Sequence, residues 1–232
     1  MAMGLKTKTI DSNSLKGVVY SDFNYSIGPR FQPITKVELV KMKSVTDFNT
    51  KKENKQIESF ESTALIVIAD ERQTEFRQYG DTETLNTEQL ELLNSLEVSS
   101  HFLMRTEFMK RNTETGELEF AHYGPHYTIV PEKQAKYDRG SDALLAYISR
   151  ENKENTANLN EDQLQFAMLH FTVSKTGTLT NMFLDRSSGN VTIDKAMLSL
   201  IQSAPGKWIP AENEKGKNVD QELVITFGVG GC

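Results

Sequence analysis

The stretch LDRSSGNVTIDKAMLSLIQSAPGKWIPA, residues 184–211, decides the fold of this chain. Its centre predicts a helix that begins after a Ser-Ser-Gly turn and ends at Pro-Gly, because proline cannot continue a helix. Apolar residues recur along it at helical spacing, namely Ile193, Met197, Leu200, Ile201 and Ala204. Such a stripe is typical of an amphipathic helix with one face laid on a sheet.

The helix is bounded on both sides by residues with structural roles. Asn190 or Thr192 can cap its N-terminus, and the positive end of the helix favours Asp194. Trp208, the only tryptophan, follows the helix directly and can pack onto the same core. Burial of an indole contributes roughly 3 kcal/mol by area, which is a large share for a small domain.

Strands are predicted on both sides of this helix. Residues 164–186 predict an antiparallel hairpin, whose KTGT turn places Gly177 where a positive φ is needed. A last strand follows in ELVITFGV, residues 222–229. Upstream, Ser141 is predicted to cap a helix in DALLAYISR. The predicted order is therefore helix, hairpin, helix and strand.

Residues from about 137 to 232 resemble the C-terminal domain of TonB, the energy-transducing protein of Gram-negative bacteria. The segments LHFTVSKTGTLTNMFLDRSSG, TIDKAMLSLIQSAPGKWIPA and KGKNVDQELVITFGV follow one another in the order of that family. The positions that match its structural motif are Ser187, Ser188, Gly189, Asp194, Trp208 and Pro210. The resemblance implies an α+β unit with its helices packed on an antiparallel sheet.

The resemblance also implies a function. Proteins of this family bind a short segment of an outer-membrane receptor as an added strand, and an inner-membrane motor of the ExbB and ExbD type supplies the energy. The expected partner-binding residues are those of the last strand: Leu223, Val224, Ile225, Thr226, Phe227, Gly228 and Val229. A short terminal strand is expected at a sheet edge, where its free N–H and C=O groups can pair with a peptide. Pairing within the chain or in a homodimer is the alternative.

The first part of the chain carries no such resemblance. Residues 1–33 are polar, with a short strand predicted in GVVYSDFNYS (17–26), and residues 34–130 predict an α+β domain of unknown family. Its predicted elements are helices over 33–48 and 86–96 and strands over 61–71, 72–82, 99–112 and 120–130. Thr35 and Glu38 have the spacing of a capping box at the start of the first helix.

The chain is thus predicted to form two small domains, with residues 131–140 as a linker and residues 141–232 as the TonB-like domain. The membrane anchor and Pro-rich spacer of the TonB family do not occur in this sequence. Residues 1–4, MAMG, are interpreted as an expression remnant in front of a chain from which an anchor or targeting segment was removed. The resemblance alone implies a periplasmic location, with inner-membrane anchoring through such a segment left open.

Composition argues against several classes of function. Lys and Arg number 26 against 32 Asp and Glu, a net charge of −6, which does not favour binding to nucleic acid or to an anionic membrane surface. The single cysteine, Cys232, rules out an internal disulfide and a zinc cluster with several Cys ligands. Neither a G-x-G-x-x-G motif nor a P-loop occurs, and no cofactor is predicted.

Few residues suggest catalysis. His122 and His126 flank a Pro-containing turn and could provide two ligands of a metal site. No third ligand lies at a spacing typical of metal sites, so a surface turn is favoured. Paired carboxylates could come from Asp70, Glu71, Asp81 and Glu83, although solvated turns explain them equally well. His101 and His170 lie in predicted strands, where cross-strand packing is expected. The sequence therefore predicts a protein without catalytic residues or a metal, and a cell-envelope scaffold that reuses the TonB-like fold is the alternative function.

Overall fold

The computed structural model describes residues 23–70, 72–157 and 164–228, which form two main sheets, each with helices on one face, and two short two-stranded sheets. The strands are β1 (Asn24–Gly28), β2 (Gln32–Thr35), β3 (Ser59–Ala69), β4 (Arg72–Gly80), β5 (His101–Arg111), β6 (Leu118–Tyr123), β7 (His126–Val130), β8 (Lys136–Tyr137), β9 (Ala167–Val173), β10 (Leu179–Arg186), β11 (Trp208–Ile209), β12 (Ala211–Glu212), β13 (Asn218–Val219) and β14 (Gln221–Gly228). The helices are α1 (Lys36–Leu39), α2 (Lys51–Asn54), α3 (Thr87–Ser95), α4 (Ser141–Glu151), α5 (Lys153–Thr156) and α6 (Val191–Ser203), with a 3-10 helix at Val45–Phe48. The predicted α+β class is confirmed. Within these residues, no helix is both long enough and apolar enough to cross a membrane.

The larger sheet has the strand order β2-β7-β5-β3-β4, and β6 pairs with the far half of β5. Only β2 and β7 run parallel; the other pairs are antiparallel. Leu65, Phe102 and Met104 are fully buried on the face that α1, the 3-10 helix and α3 cover. The strands predicted over 61–71 and 99–112 are confirmed as β3 and β5, because alternating and β-branched residues suit a buried sheet.

The single helix predicted over 33–48 is wrong. Residues 32–35 instead form β2 beside β7, and the capping box of Thr35 and Glu38 opens only the one-turn helix α1. A second capping box, between Ser44 and Asp47, opens the 3-10 helix. The two capping boxes begin nine residues apart, so each opens its own short helix. These caps and the pairing of β2 with β7 outweigh the helix propensity of the segment.

The smaller sheet has the order β1-β14-β9-β10 and is antiparallel throughout. Its core is formed by the buried faces of β9, β14, α4 and α6, with Ile193, Met197 and Ile201 supplied by the predicted helical stripe. The predicted hairpin is confirmed as β9 and β10, and Gly177 in its turn has a φ of 80°. The cap of α4 is the exception, since Gly140 precedes the helix and Ser141 is its first residue.

Residues 131–140, predicted as a linker, are built into the smaller unit. Ala135 and Tyr137 are buried in its core, and β8 pairs with β11 at the tryptophan step. The Tyr137 ring lies 5.6 Å from Trp208, and the backbone N–H of Ala135 donates to Gln221 Oε1 at 2.7 Å. The predicted linker is therefore part of the smaller unit, and its polar composition gave no sign of the two side chains that it buries.

The Ser-Ser-Gly turn is folded around one buried carboxylate. Asp194, in the first turns of α6, accepts hydrogen bonds from Ser187 Oγ (2.6 Å), Ser188 Oγ (2.7 Å) and the Ser188 backbone N–H (3.0 Å). The helix is capped by Asn190, whose Oδ1 accepts from the backbone N–H groups of Thr192 and Ile193. The Ser-Ser-Gly turn therefore fixes where α6 enters the fold.

The tryptophan step fixes where α6 leaves. The Trp208 ring lies 5.2 Å from that of Phe171 on β9. The turn of the β9–β10 hairpin packs directly against this step. A Cβ added at Gly177 would lie only 2.5 Å from the Trp208 carbonyl oxygen and 3.7 Å from Pro210 Cδ. The positive φ and the close approach together leave no room for another residue at position 177.

Replacing the Asp194 carboxylate tests the role of the Ser-Ser-Gly turn. We expect Asp194→Ala to lower the free energy of unfolding by about 2–4 kcal/mol, since it leaves the buried Ser188 N–H and the Ser187 hydroxyl without their acceptor. Chemical denaturation monitored by Trp208 fluorescence measures the loss. The matched control is Asp142→Ala at the exposed start of α4, which should cost less than about 1 kcal/mol. Equal losses in the two variants would contradict a structural role for this turn.

Candidate functional site

The predicted partner-binding strand does not lie at a sheet edge, so the expected edge position is wrong, and the alternative of pairing within the chain is what the structure shows. Binding of a partner by this strand stays a prediction. Residues Leu223–Gly228 belong to β14, which pairs with β9 on one side and with β1 on the other. Val229 lies outside the described residues. The strand that covers this edge comes from the N-terminal segment, about 200 residues away in the chain. Long-range pairing of this kind leaves no local signal in the sequence.

The β1–β14 ladder is regular over its whole length. It runs antiparallel from Asn24 opposite Gly228 to Gly28 opposite Val224, with no shift in register. The hydroxyls of Ser26 and Thr226 face each other at 2.6 Å on one side of the sheet. Backbone hydrogen bonds of this kind recognise an extended chain, whereas the alternate side chains determine which segment fits.

One side chain of β1 makes a specific polar contact in the core. Tyr25 points toward α4 and α6, and its hydroxyl accepts a hydrogen bond from Asn152 Nδ2 at 3.1 Å. Asn152 is fully buried at the end of α4, and its Oδ1 accepts from Asn155 Nδ2 at 2.9 Å. Burial raises the pKa of Tyr25, an effect that the hydrogen bond from Asn152 opposes only in part. Asn152 thus contacts the β1 segment at one defined position.

β1 is less tightly packed than the strand that it covers. No β1 residue is fully buried, whereas β14 is buried along most of its length. Cavities lie beside both faces of β1. One of about 280 Å³ is lined by Ile27 and Leu223, and one of about 540 Å³ is lined by Tyr25, Ser26 and Thr226. Loosely packed segments of this kind open at low free-energy cost.

The opposite edge of the smaller sheet is irregular. β10 shifts register between Thr180 and Phe183 and again between Leu184 and Arg186, and Asn181 has a φ of 48°. Bulges of this kind interrupt the row of backbone groups and protect an edge from pairing. The regular pairing of this sheet is therefore on the β14 side, where β1 lies.

A cluster that the sequence did not predict links β14 to the larger sheet. Glu222 Oε1 lies 3.1 Å from His170 Nδ1 on β9 and 3.4 Å from His101 Nε2 on β5. The backbone N–H of Glu222 also donates to Ser99 Oγ at 2.9 Å. His101 in turn contacts Thr128 Oγ1 through Nδ1 at 2.9 Å. His101 and His170 were expected only to pack across strands, and no sequence signal joined them to Glu222.

The Glu222 carboxylate is held in its charged form. Burial raises its pKa, but hydrogen bonds from His101 and His170 outweigh burial and lower the pKa to about 2. The His170 ring stacks on Phe183 with centroids 5.0 Å apart, and its Nε2 is buried without a hydrogen-bond partner. A cleft of about 450 Å³ opens beside this cluster at the junction of the two sheets. An ionised carboxylate held by two imidazoles makes a polar joint between the sheets.

The described carboxylates that were considered as a catalytic pair are separated by the length of β4. Asp70 lies at the turn before β4, whereas Asp81 and Glu83 follow its other end. His122 lies on β6 and His126 begins β7, where its ring packs 5.1 Å from Phe31. Glu71 and Cys232 lie outside the described residues. Among the described residues, no group of three or more His, Cys, Asp or Glu side chains is arranged to hold a metal ion.

The lowered pKa of Glu222 predicts how stability depends on pH. The folded value of about 2 lies below the ordinary value of 4.5, so the stabilisation is complete above the ordinary value and is lost as the pH falls toward 2. We expect the free energy of unfolding to fall more steeply between about pH 5 and 2 in the unchanged protein than in Glu222→Gln, by up to about 3 kcal/mol. Urea denaturation across this range measures the difference.

Glu212→Gln is the matched control, because Glu212 forms a surface ion pair with Lys133 at 2.7 Å. Surface pairs contribute little to stability, so this variant should keep the steep pH dependence. If Glu222→Gln kept it as well, the polar joint would not stabilise the fold.

No protein-family model, no curated protein and no solved structure matches this chain. A proposal about its function therefore depends on the geometry of the described residues and on the resemblance found in the sequence.

Proposed function

We propose that this chain is a non-catalytic protein-binding module of the cell envelope. Its C-terminal unit takes up an extended segment of a partner by strand addition at β14. As the resemblance to the TonB C-terminal domain implies, the partner is an outer-membrane receptor, the module works in the periplasm, and an inner-membrane motor of the ExbB and ExbD type supplies the energy.

The order of elements in the C-terminal unit supports the TonB-like reading. Helix α4, hairpin β9–β10, helix α6 and strand β14 follow one another as the resemblance implies. The turn at Ser187 to Gly189 and the step at Trp208 bracket α6 at its two ends. The chain departs from the expectation at the last strand, where β1 already occupies the edge.

The single observation that carries the proposal is this occupied edge. β14 holds an extended segment from a distant part of the chain by a regular antiparallel ladder of five residue pairs. The segment is only partly buried, and one buried amide contacts one of its side chains. A strand edge that accepts one extended segment in this way has the geometry to accept another. For a receptor segment to bind there, β1 must leave.

The complete sheet favours a second candidate, a cell-envelope scaffold. With β1 in place both sides of β14 are paired, and Glu222 joins the smaller sheet to the larger one through His101. A scaffold, alone or as a homodimer, would use the described fold as it stands, with β1 as a permanent strand. The two candidates therefore differ in whether β1 exchanges.

Amide NMR of the full chain with added receptor peptides tests the first candidate. We expect peptides from the N-terminal plugs of outer-membrane receptors to shift the amide signals of β14 and to release those of Asn24–Gly28. The matched control is the same peptide with proline at alternate positions, which cannot donate the ladder hydrogen bonds and should leave the spectrum unchanged.

Unchanged β1 and β14 signals at millimolar peptide, in a spectrum that reports a folded chain, would overturn receptor binding at this edge. The scaffold candidate predicts that result. Shifts confined to the larger sheet would also contradict the first candidate, because they would place the binding site elsewhere.

A further inference from the structure

We infer that the outer side of β14 selects an extended segment with tyrosine between two apolar residues at alternate positions, and that β1 is the resident occupant of this site. The inference rests on the proposed function and adds the side-chain pattern and direction of the segment that binds. The bound segment runs antiparallel to β14, as β1 does.

The pattern is given by the side chains that β1 turns toward the core. Phe23, Tyr25 and Ile27 all pack against the cluster beneath α4 and α6. The Phe23 and Tyr25 rings lie 5.1 Å apart. Between Tyr25 and Ile27, Ser26 lies on the opposite face, where its hydroxyl meets that of Thr226. A segment shifted by one residue would turn its polar side chains into the core, so the alternation itself is selective.

Asn152 makes the central position specific for tyrosine. Its side-chain amide is fully buried and donates to the Tyr25 hydroxyl at 3.1 Å. Phenylalanine at the same place would fill the space but would remove the oxygen that accepts this hydrogen bond. A site built to bond a hydroxyl discriminates against the analogue that lacks it, because a buried polar group is then left with fewer partners.

The structure also accounts for exchange at this site. β1 is five residues long, pairs with β14 through a ladder of five residue pairs and has cavities on both faces. A Cβ added at Gly28, where the strand ends, would meet nothing within 4 Å. When β1 leaves, the outer N–H and C=O groups of β14 form an open strand edge, with which another extended segment can pair.

Fluorescence anisotropy with a labelled peptide FNYSIGP, the sequence of Phe23–Pro29, tests the inference on the full chain. The double variant Tyr25→Ser, Ile27→Ser weakens the resident strand and should bind this peptide at least about tenfold more tightly than the unchanged chain, in which β1 competes. The matched control is FYINSGP, which has the same composition but places its three core-facing residues side by side, so that it cannot present them at alternate positions and should not bind.

The contribution of Asn152 is measured by a double-mutant cycle that combines a change in the peptide with a change at Asn152. On the double variant, the peptide with phenylalanine in place of tyrosine should bind about tenfold more weakly. With Asn152→Leu added, the two peptides should bind equally, because the amide that distinguishes them is gone. A tyrosine preference that survived Asn152→Leu would overturn the role of this residue.

A chain in which a disulfide joins β1 to β14 tests the inference even if the double variant fails to fold. Ser26→Cys and Thr226→Cys, in a Cys232→Ser background, join β1 to β14 at positions whose side chains already touch. We expect the oxidised form to bind no peptide and the reduced form to bind as the unchanged chain does. Equal binding by both forms would overturn the inference, because β1 would then not occupy the site.

These outcomes separate the inference from the proposed function. If β1-like peptides bind with tyrosine preference but receptor segments do not, the site pattern stands and the receptor partner fails. If receptor segments bind the oxidised and reduced forms equally, a binding function survives and the inference fails. Absence of binding by both kinds of peptide to a folded double variant would overturn both.

Discussion

The fold depends on the pairing of β14 on both of its sides. This strand is buried along most of its length while both of its edges are paired, and β1 covers N–H and C=O groups that would otherwise form an open edge. β9 satisfies one edge from within the C-terminal unit, and β1 satisfies the other from the start of the described chain. The smaller sheet is therefore a discontinuous unit, and the larger sheet is an insertion between its first strand and its remaining ones.

The same strand makes the joint between the two sheets. Its core-facing residues complete the cluster under α4 and α6, and Glu222 on its other face reaches His101 on the larger sheet. Because an ionised carboxylate would be costly to bury alone, the two imidazoles that contact the Glu222 carboxylate are what stabilise it at this position. A strand that binds a segment at its edge is thereby also in contact with the other half of the molecule.

Local patterns predicted most of the elements, and long-range pairing was beyond their reach. The stripe from Ile193 to Ile201, the cap at Asn190 and the Gly177 turn are encoded by neighbouring residues, and the structure contains all three. The helix over 33–48 failed because Ile34 is drawn into a parallel pair with β7. The occupied edge of β14 and the cluster at Glu222 both join residues far apart in sequence, and neither periodicity nor spacing carries information about such contacts.

The direction of β1 has a mechanical consequence. Asn24 lies opposite Gly228, so the N-terminal end of β1 and the C-terminal end of β14 lie side by side at one end of the sheet. Tension applied between those two ends would load the terminal pair first and peel the ladder one pair at a time. Tension along the strand direction would instead load all five pairs together. The β1–β14 ladder is thus weak to a force that pulls these two strand ends apart and strong to a force along the strands.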